Sequence, residues 1–83
     1  MLAREEIIDK LKDILVSADE NNASKVDGFT EQSNLAVDMG LNSIGMLYMV
    51  ISIEETFGIR FEDVSISDFV TLGDVVDYIC SRL

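Results

Sequence analysis

Between Ala3 and Ser17 the apolar residues Ile7, Ile8, Leu11, Ile14 and Leu15 recur at i, i+1, i+4, i+7 and i+8. That spacing gathers them on one face of a helix with 3.6 residues per turn. Glu5, Glu6, Lys10, Lys12 and Asp13 take the wet side, with the acids early, where the helix dipole favours them. A second apolar-rich stretch runs from Ser43 to Phe57, and Gly58 stands where a helix ends in a left-handed residue. Thr71-Leu72-Gly73-Asp74 resembles a capping box with Asp in place of the usual Glu. It opens a last helix to about Arg82, with Leu72, Val75, Val76, Ile79 and Leu83 inward. Residues 17–42 are polar and turn-rich (Asp27-Gly28), with room for a short helical turn. Phe29, Leu35, Val37, Met39 and Leu41 are expected to pin this connection to the core. Ile59-Arg60-Phe61 reads as a loop. Residues 62–69 read as one short helix or turn, with Val64, Ile66 and Phe69 as apolar contacts. No stretch alternates as a strand does. The pattern predicts an all-α fold, a small bundle of three main helices plus one short helix.

The middle helix carries two apolar stripes. At about 100° per residue, Met46, Met49, Val50, Ile53 and Phe57 share one side, and this side is expected to be core. Ile44, Leu47 and Ile51 share the other, flanked by Tyr48. Glu54 and Glu55 close that second stripe, and unpaired carboxylates are seldom fully buried. The second stripe is therefore expected to face solvent as a docking surface. The alternative is that the long connection folds over it.

Composition narrows the partners. The chain has 83 residues, enough for one domain and one core. Sixteen acidic and six basic residues give a net charge of −10. That disfavours nucleic acid and anionic membrane surfaces and favours protein partners with basic patches. Cys80 is the only cysteine, so no internal disulfide or zinc spacing exists. Its place in the last helix predicts a buried or half-buried thiol. With no signal-type segment or apolar run of spanning length, the sequence predicts a cytoplasmic location; a monomer is expected. A start at Met and an end soon after the last helix read as a free-standing protein spanning 1–83 as a single domain, with an excised module as the alternative.

The candidate chemistry lies in Asp38-Met39-Gly40-Leu41-Asn42-Ser43-Ile44. A serine follows a glycine-containing turn and begins a helix. The chain contains no histidine, so no Ser–His pair can activate that hydroxyl, and a hydrolase relay is excluded. A serine without a base suits attachment. At a helix start, orphan N–H groups and the helix dipole favour an attached phosphate. The plain alternative is capping, since Asn and Ser are ordinary N-cap residues. A calcium loop from Asp19 fails: Ala23, Ser24 and Thr30 stand where a ligand, Gly and a bidentate Glu are needed. No metal ligand set is assigned.

Gly40-Leu41-Asn42-Ser43-Ile44, Leu47, Glu54-Glu55, Phe57-Gly58-Ile59 and the run Thr71 to Ile79 together resemble the acyl and peptidyl carrier protein family over nearly the whole chain. The resemblance implies that Ser43 takes a 4′-phosphopantetheine arm from coenzyme A through a magnesium-dependent phosphopantetheinyl transferase. The arm's thiol then carries an acyl or aminoacyl group as a thioester, and the carrier itself catalyses nothing. It implies partners of three kinds: the transferase, an acyl- or aminoacyl-loading ligase, and condensing or transferase enzymes. Docking is expected through Asp38, Asn42, Ile44, Leu47, Tyr48, Ile51, Glu54 and Glu55. Asn42 stands where Asp is usual, and Gly45 and Tyr48 replace positions often acidic in fatty-acid carriers. A specialised role in fatty-acid, polyketide or nonribosomal peptide biosynthesis fits at least as well as a housekeeping one. The competing reading is a small helical adaptor that uses the Ile44/Leu47/Ile51 strip without modification.

Overall fold

The three amphipathic segments form α1 (Arg4–Ala18), α2 (Ser43–Phe57) and α3 (Leu72–Arg82). The computed structural model describes residues 2–62 and 65–83. Val64, expected to supply an apolar contact, lies outside the described residues, as does the side chain of Ile66. The connection between α1 and α2 holds two short 3₁₀ helices, Glu20–Ser24 and Val26–Gly28, and a third, Ile66–Asp68, precedes α3. The short helix expected before α3 is therefore present, and the long connection is more structured than its polarity suggests. Among the described residues the only β pairing is an isolated bridge between Asn34 and Thr71.

Local chemistry explains the helix limits. Asn42, extended at φ −93° and ψ −172°, caps α2 by accepting the Gly45 N–H at 2.9 Å. Gly58 ends it at φ 69° and ψ 29°, and its N–H reaches the Glu54 carbonyl at 2.9 Å. A residue with a Cβ would cost about 1–2 kcal/mol in that conformation. Thr71 caps α3: its hydroxyl accepts the Asp74 N–H at 3.3 Å, and the Asp74 carboxylate accepts the Thr71 and Val70 N–H groups at 3.0 Å each. Asn22, fully buried, donates its amide to the Leu15 carbonyl at 3.1 Å and so serves the end of α1.

The core joins all three helices. Ile7, Leu11 and Leu15 of α1, Met49 and Ile53 of α2, and Leu72, Val75, Val76 and Ile79 of α3 are fully buried. Met46 and Val50 are buried as expected, and Phe57 packs half-buried against the cluster. Phe29, Leu35, Met39 and Leu41 do pin the connection to the core. The segment around residues 31–35 runs along the entry to α3, with Leu35 N–H to Val70 O at 3.0 Å and Gly73 N–H to Glu31 O at 2.8 Å.

Three expectations are corrected. Val37 is 80% exposed. The Asp38 and Met39 N–H groups both bond the Asn34 carbonyl, so this stretch turns helically and Leu35 and Met39 share a side that Val37 opposes. Leu83 is half exposed because it lies past the last helical residue, where the stripe's period no longer applies. Cys80 is exposed. It sits about 100° around the helix from Ile79, beyond the edge of the core stripe.

Arg4 links α1 to both the connection and α3. Its guanidinium pairs with Glu31 and, at 2.7 Å, with Asp77. The hydrogen bonds from Arg4 hold the Glu31 carboxyl below its ordinary range. The backbone N–H groups of Thr71, then Val70, do the same for Asp74. A carboxyl with a depressed folded pKa stabilises the fold above its unfolded pKa, about 4. It loses that contribution as the pH falls through the folded value. Asp74→Asn keeps a carbonyl acceptor but loses the charge at the α3 start. After allowance for solvent screening, the loss is about 0.5 kcal/mol at neutral pH, or about 2–4 °C in Tm. Thermal melts of both proteins across an acid series should show that difference shrinking towards zero below about pH 4.

Candidate functional site

Ser43 owes its position to the turn that precedes it. The Asn34 side-chain oxygen accepts the Ala36 and Val37 N–H groups at 2.9 and 2.8 Å, and Asp38 accepts the Asn34 N–H at 2.6 Å. Leu41 N–H then bonds the Leu35 carbonyl at 3.0 Å, and Gly40 turns the chain at φ 67°. These bonds fix where the chain enters α2. The cap is Asn42, so Ser43 is the first helical residue and its hydroxyl has no capping duty. Ser43 is exposed, and its Oγ makes no hydrogen bond among the described residues.

The surroundings favour an anion on that oxygen. By position, the N–H groups of Ser43 and Ile44 have no intrahelical acceptor, and the helix dipole adds partial positive charge. The first turn of α2 holds no acidic residue to compete. Among the described residues no His, Cys, Asp and Glu group is arranged to hold a metal ion. With no base bonded to it, the hydroxyl can be modified by another protein but has no means of attacking a substrate unaided.

The outer stripe of α2 stands open. Ile44 is 79% exposed, Leu47 51%, Ile51 48% and Tyr48 43%; the long connection does not cover them. Asp38, Asn42 and Glu55 are exposed as well. Glu54 differs, being half-buried, with one carboxylate oxygen accepting the Phe61 N–H at 2.9 Å. It ties the loop after α2 to the helix and has less freedom to meet a partner than Glu55.

Two recesses flank the start of α2. One, of about 570 Å³, includes Ser43 itself and is lined by Leu35, Ala36, Leu41, Met46, Phe69 and Val70. Phe69 is held there by edge-on contacts with Phe61 and Tyr78, at ring centroid distances of 5.5 and 5.6 Å. The other, of about 300 Å³, lies between the end of α1 and the start of α2. Sequence spacing assigns neither Val70 nor Ala18 to this region. Both reach it only through the tertiary fold, and no local motif marks them. Among the described residues no helix is long and apolar enough to cross a membrane.

Comparison with known proteins gives a consistent result. Residues 9–79 match the model of a family described as a phosphopantetheine attachment site. The chain is similar to an acyl carrier protein of Thermotoga maritima, at 34% identity over 83 residues, covering 100% of this chain and 99% of the relative. It is also similar to an acyl carrier protein of Lactobacillus acidophilus, at 34% identity over 81 residues and 98% of each chain. A third relative, an acyl carrier protein of Coprothermobacter proteolyticus, is 34% identical over 85 residues, covering 99% and 96%.

Proposed function

Because the chain belongs to the acyl and peptidyl carrier protein family, whose role is non-catalytic, we propose that Ser43 is the residue that receives a 4′-phosphopantetheine arm. The observation that carries this reading is the unbonded, exposed hydroxyl at the first position of a helix that Asn42 already caps. When attached, the arm supplies a terminal thiol that holds an acyl or aminoacyl group as a thioester. The Ser43 and Ile44 N–H groups would face the phosphate, and the helix dipole would favour its charge. The apolar recess lined by Leu35, Met46, Phe69 and Val70 includes Ser43, and its lining suits apolar parts of the arm or its cargo.

We read the whole chain as one carrier domain that meets a phosphopantetheinyl transferase, a loading ligase, and condensing or transferase enzymes in turn. The open stripe of Ile44, Leu47, Tyr48 and Ile51 supports docking there. No charged residue occurs between Ser43 and Ser52. A face this apolar supports a specialised fatty-acid, polyketide or nonribosomal peptide assembly role.

The test is co-expression with a broad-specificity phosphopantetheinyl transferase, followed by intact mass and peptide mapping. A gain of one phosphopantetheine mass on the Ser43 peptide supports the proposal. A protein left bare by several transferases would return the unmodified-adaptor reading. The stripe has its own test. Leu47→Asp and Ile51→Asp should lower the rate of loading or cargo transfer by about tenfold, the value of one well-packed interface contact. Their circular-dichroism melts should stay within about 0.5 kcal/mol of the parent. Variants that unfold would show that the outer face of α2 is packed.

A further inference from the structure

The recess between the end of α1 and the start of α2 has walls of mixed character. Ala18, Ile44 and Tyr48 are apolar or aromatic, and Asp19 brings a carboxylate. That carboxylate is held in place: one oxygen accepts the Asn21 N–H at 3.0 Å, and the other lies 3.8 Å from where a side chain on Gly40 would begin. Among the described residues the ion pairs are those of Arg4, so Asp19 has no cation of its own. Asn42 and Gly45, on either side of Ser43 in the chain, also line the recess.

We propose that this recess is a socket for an arginine or lysine side chain of the transferase that loads Ser43. Apolar walls cover the methylene stem of such a side chain. The Tyr48 ring face and the Asp19 carboxylate together suit its charged end. An uncharged apolar side chain would leave Asp19 unpaired as the partner excluded water, which counts against it. The place selects among partners. An enzyme acting on cargo works at the far end of the arm, whereas the transferase must bring its own reacting centre to the Ser43 hydroxyl, beside the socket. The helix face from Ser43 to Ser52 has no charge, and the exposed Asp38 and Glu55 do not line the recess, so within it Asp19 is the carboxylate that orients the encounter. The inference rests on Ser43 being the attachment residue.

The experiment is steady-state phosphopantetheine transfer from coenzyme A, with the carrier concentration varied, at low and raised sodium chloride. Asp19→Asn keeps the oxygen that Asn21 N–H needs and removes only the charge, so its melt should match the parent. Its KM for the carrier should rise about fivefold, within the range of an ion pair reinforced by an aromatic face, with kcat little changed. Parent KM should climb with salt more steeply than that of the variant. Tyr48→Leu should also raise KM. Asp9→Asn, an equal charge loss on an exposed position of α1 remote from the recess, should not. An Asp19→Asn protein with parental KM and salt dependence overturns the socket while the attachment reading stands. A raised KM with parental salt dependence overturns it too, because the effect is then structural. A parent chain that is never modified overturns both.

Discussion

Ser43→Ala is expected to abolish loading outright. Its intact mass after co-expression with an active transferase should equal that of the bare chain, while the parent shifts by one phosphopantetheine. Loss should be total because no other hydroxyl shares the setting. The next serine in α2 is Ser52, in the interior of the helix, where the N–H groups are already bonded and cannot meet a phosphate. Stability should be unaffected or slightly higher. The Ser43 Oγ makes no hydrogen bond among the described residues, and alanine favours the helix by up to about 0.5 kcal/mol. This pairing of a complete functional loss with an unchanged melt distinguishes an attachment point from a cap. Had serine been the cap, its removal would cost about 1 kcal/mol and lower the melt by several degrees. Modification that persists in the variant on another residue would move the site.

The sequence made the helices legible because each limit carries its own chemistry. Asn42 and Gly58 bracket α2, and Thr71 with Asp74 opens α3, so propensity and periodicity agree with the caps. The two faces of α2 were readable for the same reason: Met49 and Ile53 lie a turn apart on one side, and Leu47 and Ile51 a turn apart on the other. Irregular backbone offers no such period. In the connection, Leu35, Val37, Met39 and Leu41 were all expected against the core, yet the Asn34 turn places Val37 outward. Contacts between distant segments were not legible at all. Nothing local predicts that Arg4 meets Glu31 and Asp77, that Glu54 bonds the Phe61 N–H, or that Ala18 and Val70 border recesses at the start of α2. The exposed stripe was readable in the sequence, and the walls beside the proposed attachment serine were not.

Ile53→Asp should come close to unfolding the protein. Ile53 is fully buried, as is Met49 one turn before it. An aspartate there would bury a charge with no cation beside it and would lose the packing of the isoleucine. The combined cost is about 3–5 kcal/mol or more. At about 0.05–0.15 kcal/mol per residue, a domain of this length holds about 4–12 kcal/mol in total, so most of its stability would go. The expected result is a strongly lowered or non-cooperative thermal melt by circular dichroism, and Met49→Asp should behave alike. Ile51→Asp, two residues away and half exposed, provides the comparison, since it adds the same charge to the same helix where water can solvate it. A soluble Ile53→Asp protein melting cooperatively near the parent temperature would reverse the inside and outside of α2. The contrast bears on function because one helix serves two surfaces. The inner side joins the cluster that contains Leu11, Leu72 and Ile79 and fixes the helix start where Ser43 sits. The outer side stands exposed, and on the proposed function it would meet partners without loosening the fold.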